Sequence, residues 1–299
     1  MKLVRYLHNH RESYAIQINE NQLLDLPALS KVANKRLLST LERLISHDGK
    51  DIETLEGSIN ALPQNLRKKA TINLEHVKIL APVASPGKII CLGRNYREHA
   101  EEQGVPVPNE PVIFMKPRTA IIGLGDSIIK PSFVNELDYE AELAVIIGKR
   151  GKNITVERTR EHIFGYTCFN DVSARDIQFK DKQWTRGKSF DTFAPMGPCI
   201  TTRDEIDDPN NLWIKTKVNG ELRQNSSTRN MVFNVYQLVH ELSRIMTLEP
   251  CDVIATGTPA GVGFAMKPEP RFLSPGDIVE ISIQNIGTLR NTVTADNTT

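Results

Sequence analysis

The chain has no surplus of either charge: 37 lysines and arginines stand against 36 aspartates and glutamates, a net charge of +1. Nucleic acid and anionic membrane surfaces both select a basic excess, so neither is expected as the main partner. Aromatic residues make up only 6% of the chain and do not interleave with basic runs. No stretch approaches the roughly 20 apolar residues that a spanning helix needs. The opening MKLVRYLHNHRESYAI has no apolar core of a secretory signal. Cysteine is scarce: Cys91, Cys168, Cys199 and Cys251 form no C-x-x-C pair and no cluster with histidine at zinc spacing. Each lies among apolar neighbours, as reduced core thiols do, and the expected location is cytoplasmic. Also missing are a G-x-S-x-G elbow, a phosphate-binding G-x-x-x-x-G-K-[ST] loop, a G-x-G-x-x-G turn and an H-E-x-x-H helix. The run GTPAGVG is a turn-forming loop and a weak phosphate cradle by itself.

What is present suits a globular enzyme-sized protein. Hydrophobic residues are 39% and charged residues 24% of 299, which fits one large domain with a smaller one. Residues 1–80 read as a small α+β domain. Lys2–Tyr6 and Tyr14–Ile18 alternate like strands, and Leu37, Leu38, Leu41, Leu44 and Ile45 recur at helical spacing. The polar stretch from Ser46 to Gln64 offers little to bury. Pro82, Pro86 and Gly87 then punctuate the chain, and residues 81–299 form the main domain. Strands are expected at Lys88–Leu92, Val112–Met115, Leu143–Ile147, Trp213–Val218, Val253–Thr256 and Ile278–Ile283. Asn219-Gly220 signals a type I′ hairpin. One clear helix carries the apolar stripe Val235, Leu238, Val239, Leu242, Ile245 and Met246. Strands and helices do not alternate regularly, which argues for a β-rich sandwich or roll with few helices rather than a doubly wound sheet.

The sharpest chemical feature is LDYEAELAVIIG, residues 137–148. Read with period two, Asp138, Glu140 and Glu142 share a face of a strand that runs on into wholly apolar sequence. Carboxylates drawn toward a buried site need a cation or must hold protons; a solvated edge is the bland alternative. A third acid, Asp171, ends the apolar strand of FGYTCFNDVSARDIQ, followed by a helical turn carrying Arg175 and Gln178. Glu140, Glu142 and Asp171 together form an all-oxygen set that selects a hard cation: magnesium first, manganese second, calcium less suited. Lys188, flanked by Gly and Ser in an apolar loop, must meet an anion if buried. In GRNYREHAEEQG, His99 and Glu102 stand at i,i+3 on a short helix, an imidazole–carboxylate pair suited to general base work or simply a surface ion pair. Gly93 and Gly104 flank this segment and suggest a lid.

These segments resemble the fumarylacetoacetate hydrolase family. The matching stretches are GRNYREHAEE, FMKP, LDYEAELAVIIGK, GYTCFNDVSARDIQ, RGKSFDTFAPMGP, VNGELRQ, IATGTPAGVG and PGDIVEISIQNIGTL, in the family's order over residues 88–293. The resemblance implies a mixed β-sandwich roll, usually dimeric. It also implies metal ligation by Glu140, Glu142 and Asp171, catalysis by His99, Glu102 and Lys188, and substrate contacts from Arg175, Gln178 and Thr258. The implied activity is metal-dependent hydrolysis of a C–C bond in acylpyruvate-like 2,4-dioxo acids through an enolate. The alternatives are decarboxylation of an oxaloacetate-type 2-oxo acid, or keto–enol or double-bond isomerisation, at the same site. A non-catalytic metal-binding scaffold is the competing class.

Overall fold

The computed structural model describes residues 1–34, 40–46, 50–181 and 183–296, with backbone alone at 50–54. Two sheets dominate. The larger has twelve strands; its main path runs Thr71–Asn73, Gln22–Asp25, Arg11–Asn19, Lys2–His8, Ala194–Thr202, Ile163–Asn170, Ala141–Ile147, Val253–Ala255, Ile89–Gly93 and Val112–Lys116. The smaller has five: Glu221–Ser227, Trp213–Val218, Ile278–Ile283, Gly287–Ala295 and Ser127–Lys130. Pairing is mostly antiparallel, and Val253–Ala255 runs parallel to Ile89–Gly93. The molecule is thus β-rich with few helices, as the strand pattern implied.

Period-two patterning explains the layering. Leu143, Val145 and Ile147 pack toward the five-stranded sheet with Ile214, Val279, Ile281 and Leu289. Ala144 and Ile146 face the other way, into a second core with Leu26, Leu29, Leu41, Leu44 and Ile45. Both faces of Ala141–Ile147 are therefore covered, which is why its sequence becomes continuously apolar. The Asn219-Gly220 turn joins Trp213–Val218 to Glu221–Ser227 with φ of 52° and 80°, the paired positive angles of a type I′ turn.

Helix Val235–Ile245 begins with a reciprocal cap: Gln237 N–H donates to Asn234 Oδ1 (3.0 Å) and Asn234 N–H to Gln237 Oε1 (2.9 Å). Val235, Leu238, Val239 and Leu242 are buried, whereas Ile245 is 61% exposed at the last turn, where the stripe leaves the core. Leu238→Ala is expected to lower stability by about 2–5 kcal/mol, read as a shift of the urea midpoint, because the fully buried site cannot collapse around a cavity.

Two expectations need correction. The polar stretch after Ser46 does bury side chains: it forms a helix, Lys50–Asn60, that tucks Leu55 and Ile59 under the large sheet with Leu62 following. Residues 137–147 are not one strand but two, Leu137–Asp138 and Ala141–Ile147. Side chains interrupt the ladder: Tyr139 N–H donates to Asp138 Oδ1 (2.9 Å) and Glu140 N–H to Asn170 Oδ1 (3.0 Å). Lys2–His8 pairs directly with Ala194–Thr202 and so continues the large sheet. Leu37 and Leu38 lie outside the described residues.

Candidate active site

Three strands of the large sheet, Ile163–Asn170, Val253–Ala255 and Ile89–Gly93, end where Ala141–Ile147 begins. Their ends deliver Asp171, Gly257, Arg94 and Glu142 to one place. Glu140, Glu142 and Asp171 are all buried and offer oxygens lying within 4.8 Å of one another. Asp171 N–H donates to Glu140 O (2.9 Å), tying the two acid-bearing segments backbone to backbone.

The cations around this cluster are also buried. Lys188 Nζ donates to Glu140 Oε2 (2.8 Å) and Asp171 Oδ2 (2.7 Å). Arg175 pairs through Nη2 with Glu140 Oε1 (2.7 Å) and through Nε with Asp138 Oδ2 (2.9 Å). Lys116 donates to Asp171 Oδ1 and to Val172 O (3.1 Å). Burial alone would lower the Lys188 pKa, but Asp171 and Glu140 outweigh it and hold the ammonium above its ordinary value. Burial would likewise raise Glu140, yet Lys188 and Arg175 bring it far below the usual carboxylate range.

Glu142 is different. Its Oε2 accepts from Gly257 N–H (2.8 Å), but Oε1 is buried with no partner. Burial, then Asp171 and Glu140, push it well above the usual carboxylate range. With Glu142 ionised, four carboxylates (Asp138, Glu140, Glu142, Asp171) would face three cations (Lys116, Arg175, Lys188), which is why its proton is held so firmly. A divalent cation fits this donor set: three convergent oxygens, no nitrogen or sulfur donor, one oxygen still without a partner, and a Glu142 proton for the ion to displace.

The helix Arg97–Glu102 closes one side. His99 Nδ1 lies 2.6 Å from Glu102 Oε1, and Gln103 Nε2 lies 2.6 Å from His99 Nε2. A carboxylate only accepts, so Nδ1 carries the ring proton and Nε2 presents its lone pair to the Gln103 amide. Glu102 Oε2 also accepts from Gly261 N–H (2.9 Å), pinning the helix to the GTPAGVG loop. His99, Glu140, Arg175, Gln178, Lys188 and Thr258 all line one cleft of about 470 Å³, open solvent at its mouth included. Gln178 Oε1 accepts from Arg175 Nη1 (2.9 Å), and Thr258 Oγ1 from Gln224 Nε2 (2.8 Å). Glu102, Glu142 and Asp171 stand just behind this lining, against His99, Glu140 and Lys188 respectively.

Others were missed. Asp138 was grouped with the acids of the cluster, but its carboxylate accepts from Gly263 N–H (2.7 Å), Phe264 N–H (3.1 Å) and Arg175 Nε, and so anchors Arg175. Lys116, in the apolar run VIFMKP, has a fully buried side chain and, like Lys188, is a lysine in apolar sequence that must meet an anion. Gln224 links Ala141 N–H, Thr216, Thr258 and Pro259 O, and no local pattern marks it.

Residues 88–294 match the family model described as fumarylacetoacetate (FAA) hydrolase C-terminal. The chain belongs to the fumarylacetoacetate hydrolase family. It is 40% identical over 297 residues to rat (Rattus norvegicus) mitochondrial oxaloacetate tautomerase Fahd2a, covering 98% of this chain and 91% of the relative. Fumarylacetoacetate hydrolase from psychrophilic Exiguobacterium antarcticum superposes with a TM-score of 0.83 at 38% identity, over 99% of this chain and 100% of that one. Maleylpyruvate hydrolase from Sphingobium sp. SYK-6, solved with manganese(II) and pyruvate, gives 0.80 at 33% identity over 99% and 100%. Among the described residues of this family member, no helix is long and apolar enough to cross a membrane.

Proposed function

We propose that the protein is a divalent-metal-dependent enzyme that interconverts the keto and enol forms of oxaloacetate-type 2-oxo acids. The observation that carries this reading is the buried acid cluster, with Glu142 Oε1 lacking a partner, facing a His99 oriented by Glu102 across one cleft. The similarity to a named oxaloacetate tautomerase over nearly the whole chain supports the choice of reaction. Glu140, Glu142 and Asp171 are the residues to hold the ion, magnesium first and manganese second. When bound, the ion supplies Lewis-acid stabilisation for charge developing on the 2-oxo oxygen.

The chain's own groups do the rest. Lys188, held charged among carboxylates, adds a fixed positive potential beside the developing oxyanion. His99 Nε2 takes the C3 proton once the Gln103 amide is displaced. The C3–H electron pair becomes the C2–C3 double bond, and the proton is returned to the 2-oxygen. Glu102 keeps the imidazole in the required tautomer and stabilises its charged form. Gln178 and Thr258 line the cleft as positioning groups for the substrate.

A second reading, hydrolytic C–C cleavage of an acylpyruvate-type acid, is favoured by the same His99–Glu102 pair, since an imidazole oriented by a carboxylate can activate water. The experiment uses chelator-stripped protein resupplied with magnesium or manganese, following oxaloacetate enol absorbance and acylpyruvate cleavage side by side. Metal-dependent enol decay that falls by about 10²–10⁴ in His99→Ala is the expected result. Enol decay at the uncatalysed rate, with rapid acylpyruvate cleavage, would instead establish the hydrolase reading. A homodimer and a cytoplasmic location complete the proposal; sedimentation and cell fractionation test them.

A further inference from the structure

The cleft is lined by three strong cations that differ in what they face. Arg175 is committed to Asp138 and Glu140, and Lys188 to Glu140 and Asp171. Arg94 is not. Among the described residues no carboxylate pairs with it, and its Nε is buried without a hydrogen-bond partner. Its contact is a ring: the guanidinium carbon lies 5.3 Å from the centroid of Trp184, which lines the same cleft.

The backbone at this residue is unusual. Arg94 has φ +55°, the left-handed region that a long side chain seldom adopts. Such a conformation persists where its surroundings over-determine it, and strain of this kind gathers at ligand sites. Both neighbours supply the constraint. A Cβ on Gly93 would come within 2.0 Å of a Trp184 ring carbon, so only glycine lets the chain pass this close to the indole. Asn95, itself buried, donates to Phe233 O (3.0 Å) and Thr256 O (2.8 Å) and accepts from Phe233 N–H (2.8 Å). Together they fix the chain on either side of Arg94 and leave its guanidinium over Trp184, in the wall shared with His99, Gln103 and Lys188.

We infer that Arg94 binds the second carboxylate of the substrate and makes the site selective for 2-oxo dicarboxylates over 2-oxo monocarboxylates. This rests on the enolate chemistry proposed above. The 2-oxo acid end of such a substrate belongs at the acid cluster, whose cations are already neutralised by protein carboxylates. A carboxylate at the far end of the molecule then meets Arg94, the cation of the cleft that still lacks a counter-ion among the described residues. A guanidinium accepts a carboxylate through two parallel N–H bonds, and stacking on an indole holds the fork in plane. Arg94 is thus a specificity-determining residue rather than part of the proton-transfer machinery.

The test compares oxaloacetate with its C4 monomethyl ester, which keeps the carbon skeleton and loses one charge, on the full-length magnesium-loaded protein. Wild type is expected to turn over both, with the lower KM for oxaloacetate. In Arg94→Gln the oxaloacetate KM should rise about 10- to 100-fold, the range of a charge-assisted hydrogen bond, with kcat little changed and the ester KM unmoved. Arg94→Lys keeps the charge without the fork and should recover part of the preference. Calorimetric binding of difluoro-oxaloacetate, which has no C3 proton to lose, should weaken in step with KM. Equal changes for acid and ester, or no change in either, would overturn the role of Arg94. Should Arg94→Gln not fold, Arg94→Lys decides alone: a reduced preference for the acid supports the role, and an unaltered one contradicts it. Wild-type protein inert toward acid and ester alike would instead overturn the enolate reading itself, so the two failures are distinguishable.

Discussion

With Glu142 changed to glutamine, the protein is expected to lose divalent-metal binding and turnover together, while its metal-free form melts no lower than wild type. The two halves of this result come from one arrangement. Glu142 is fully buried, its Oε1 has no partner, and Asp171 and Glu140 repel its charge. A neutral amide of the same shape keeps an oxygen for the Gly257 N–H and removes the like-charge repulsion. Stability without metal should therefore be unchanged or higher. With magnesium at about 100 times its dissociation constant, wild type should gain about 2.7 kcal/mol, and the variant nothing. Turnover should fall by more than about 10², the scale of losing one preorganised electrostatic group. Melting curves with and without magnesium, beside enol-decay rates, check both halves. Full magnesium stabilisation of Glu142→Gln would show that the ion is held elsewhere.

Lys188→Met is expected to fail differently, losing stability as well as rate. The lysine is the shared partner of Glu140 and Asp171, and all three are buried. Methionine fills similar volume but leaves two buried carboxylates with less compensation, a change that costs about 3–5 kcal/mol where one partner of a buried pair is removed. Arg175 and Lys116 still face Glu140 and Asp171, which places the loss toward the lower end of that range. Turnover should drop by about 10²–10³, because the charge beside the developing oxyanion disappears. Magnesium should restore part of the stability, since a divalent ion compensates the same carboxylates. Urea unfolding at fixed magnesium, together with kcat, reads the two effects separately. A variant as stable and as fast as wild type would remove Lys188 from the account.

Much of this was legible in the sequence, and the reasons are local. Trp213–Val218 and Ile278–Ile283 stand where their alternation places them, because each has one face on the core. Glu140, Glu142 and Asp171 stood out because acids at the margin of wholly apolar strands are expensive and need a cause. What was not legible depends on distant parts of the chain. Asp138 could not be separated from the acid cluster by spacing, since the groups that claim it, Gly263, Phe264 and Arg175, lie far along the sequence. Gln224 looks like any polar residue of a hairpin until Thr258 and Ala141 are brought to it. The joining of the N-terminal strands to the large sheet rests on pairing between residues about two hundred positions apart, such as Leu3 with Ile200. Arg94 is the clearest case: lacking a partner is a property of the folded cleft, and no motif records it.

One measurement bears most directly on the central claim, that three buried acids await one hard cation. Crystals of the full-length protein grown with manganese, and diffraction data collected at an energy where manganese scatters anomalously, would locate the ion without reference to activity. The account predicts a single strong anomalous peak bonded to oxygens of Glu140, Glu142 and Asp171. A map with no peak there, and with those carboxylates paired solely to Lys116, Lys188 and Arg175, would contradict it.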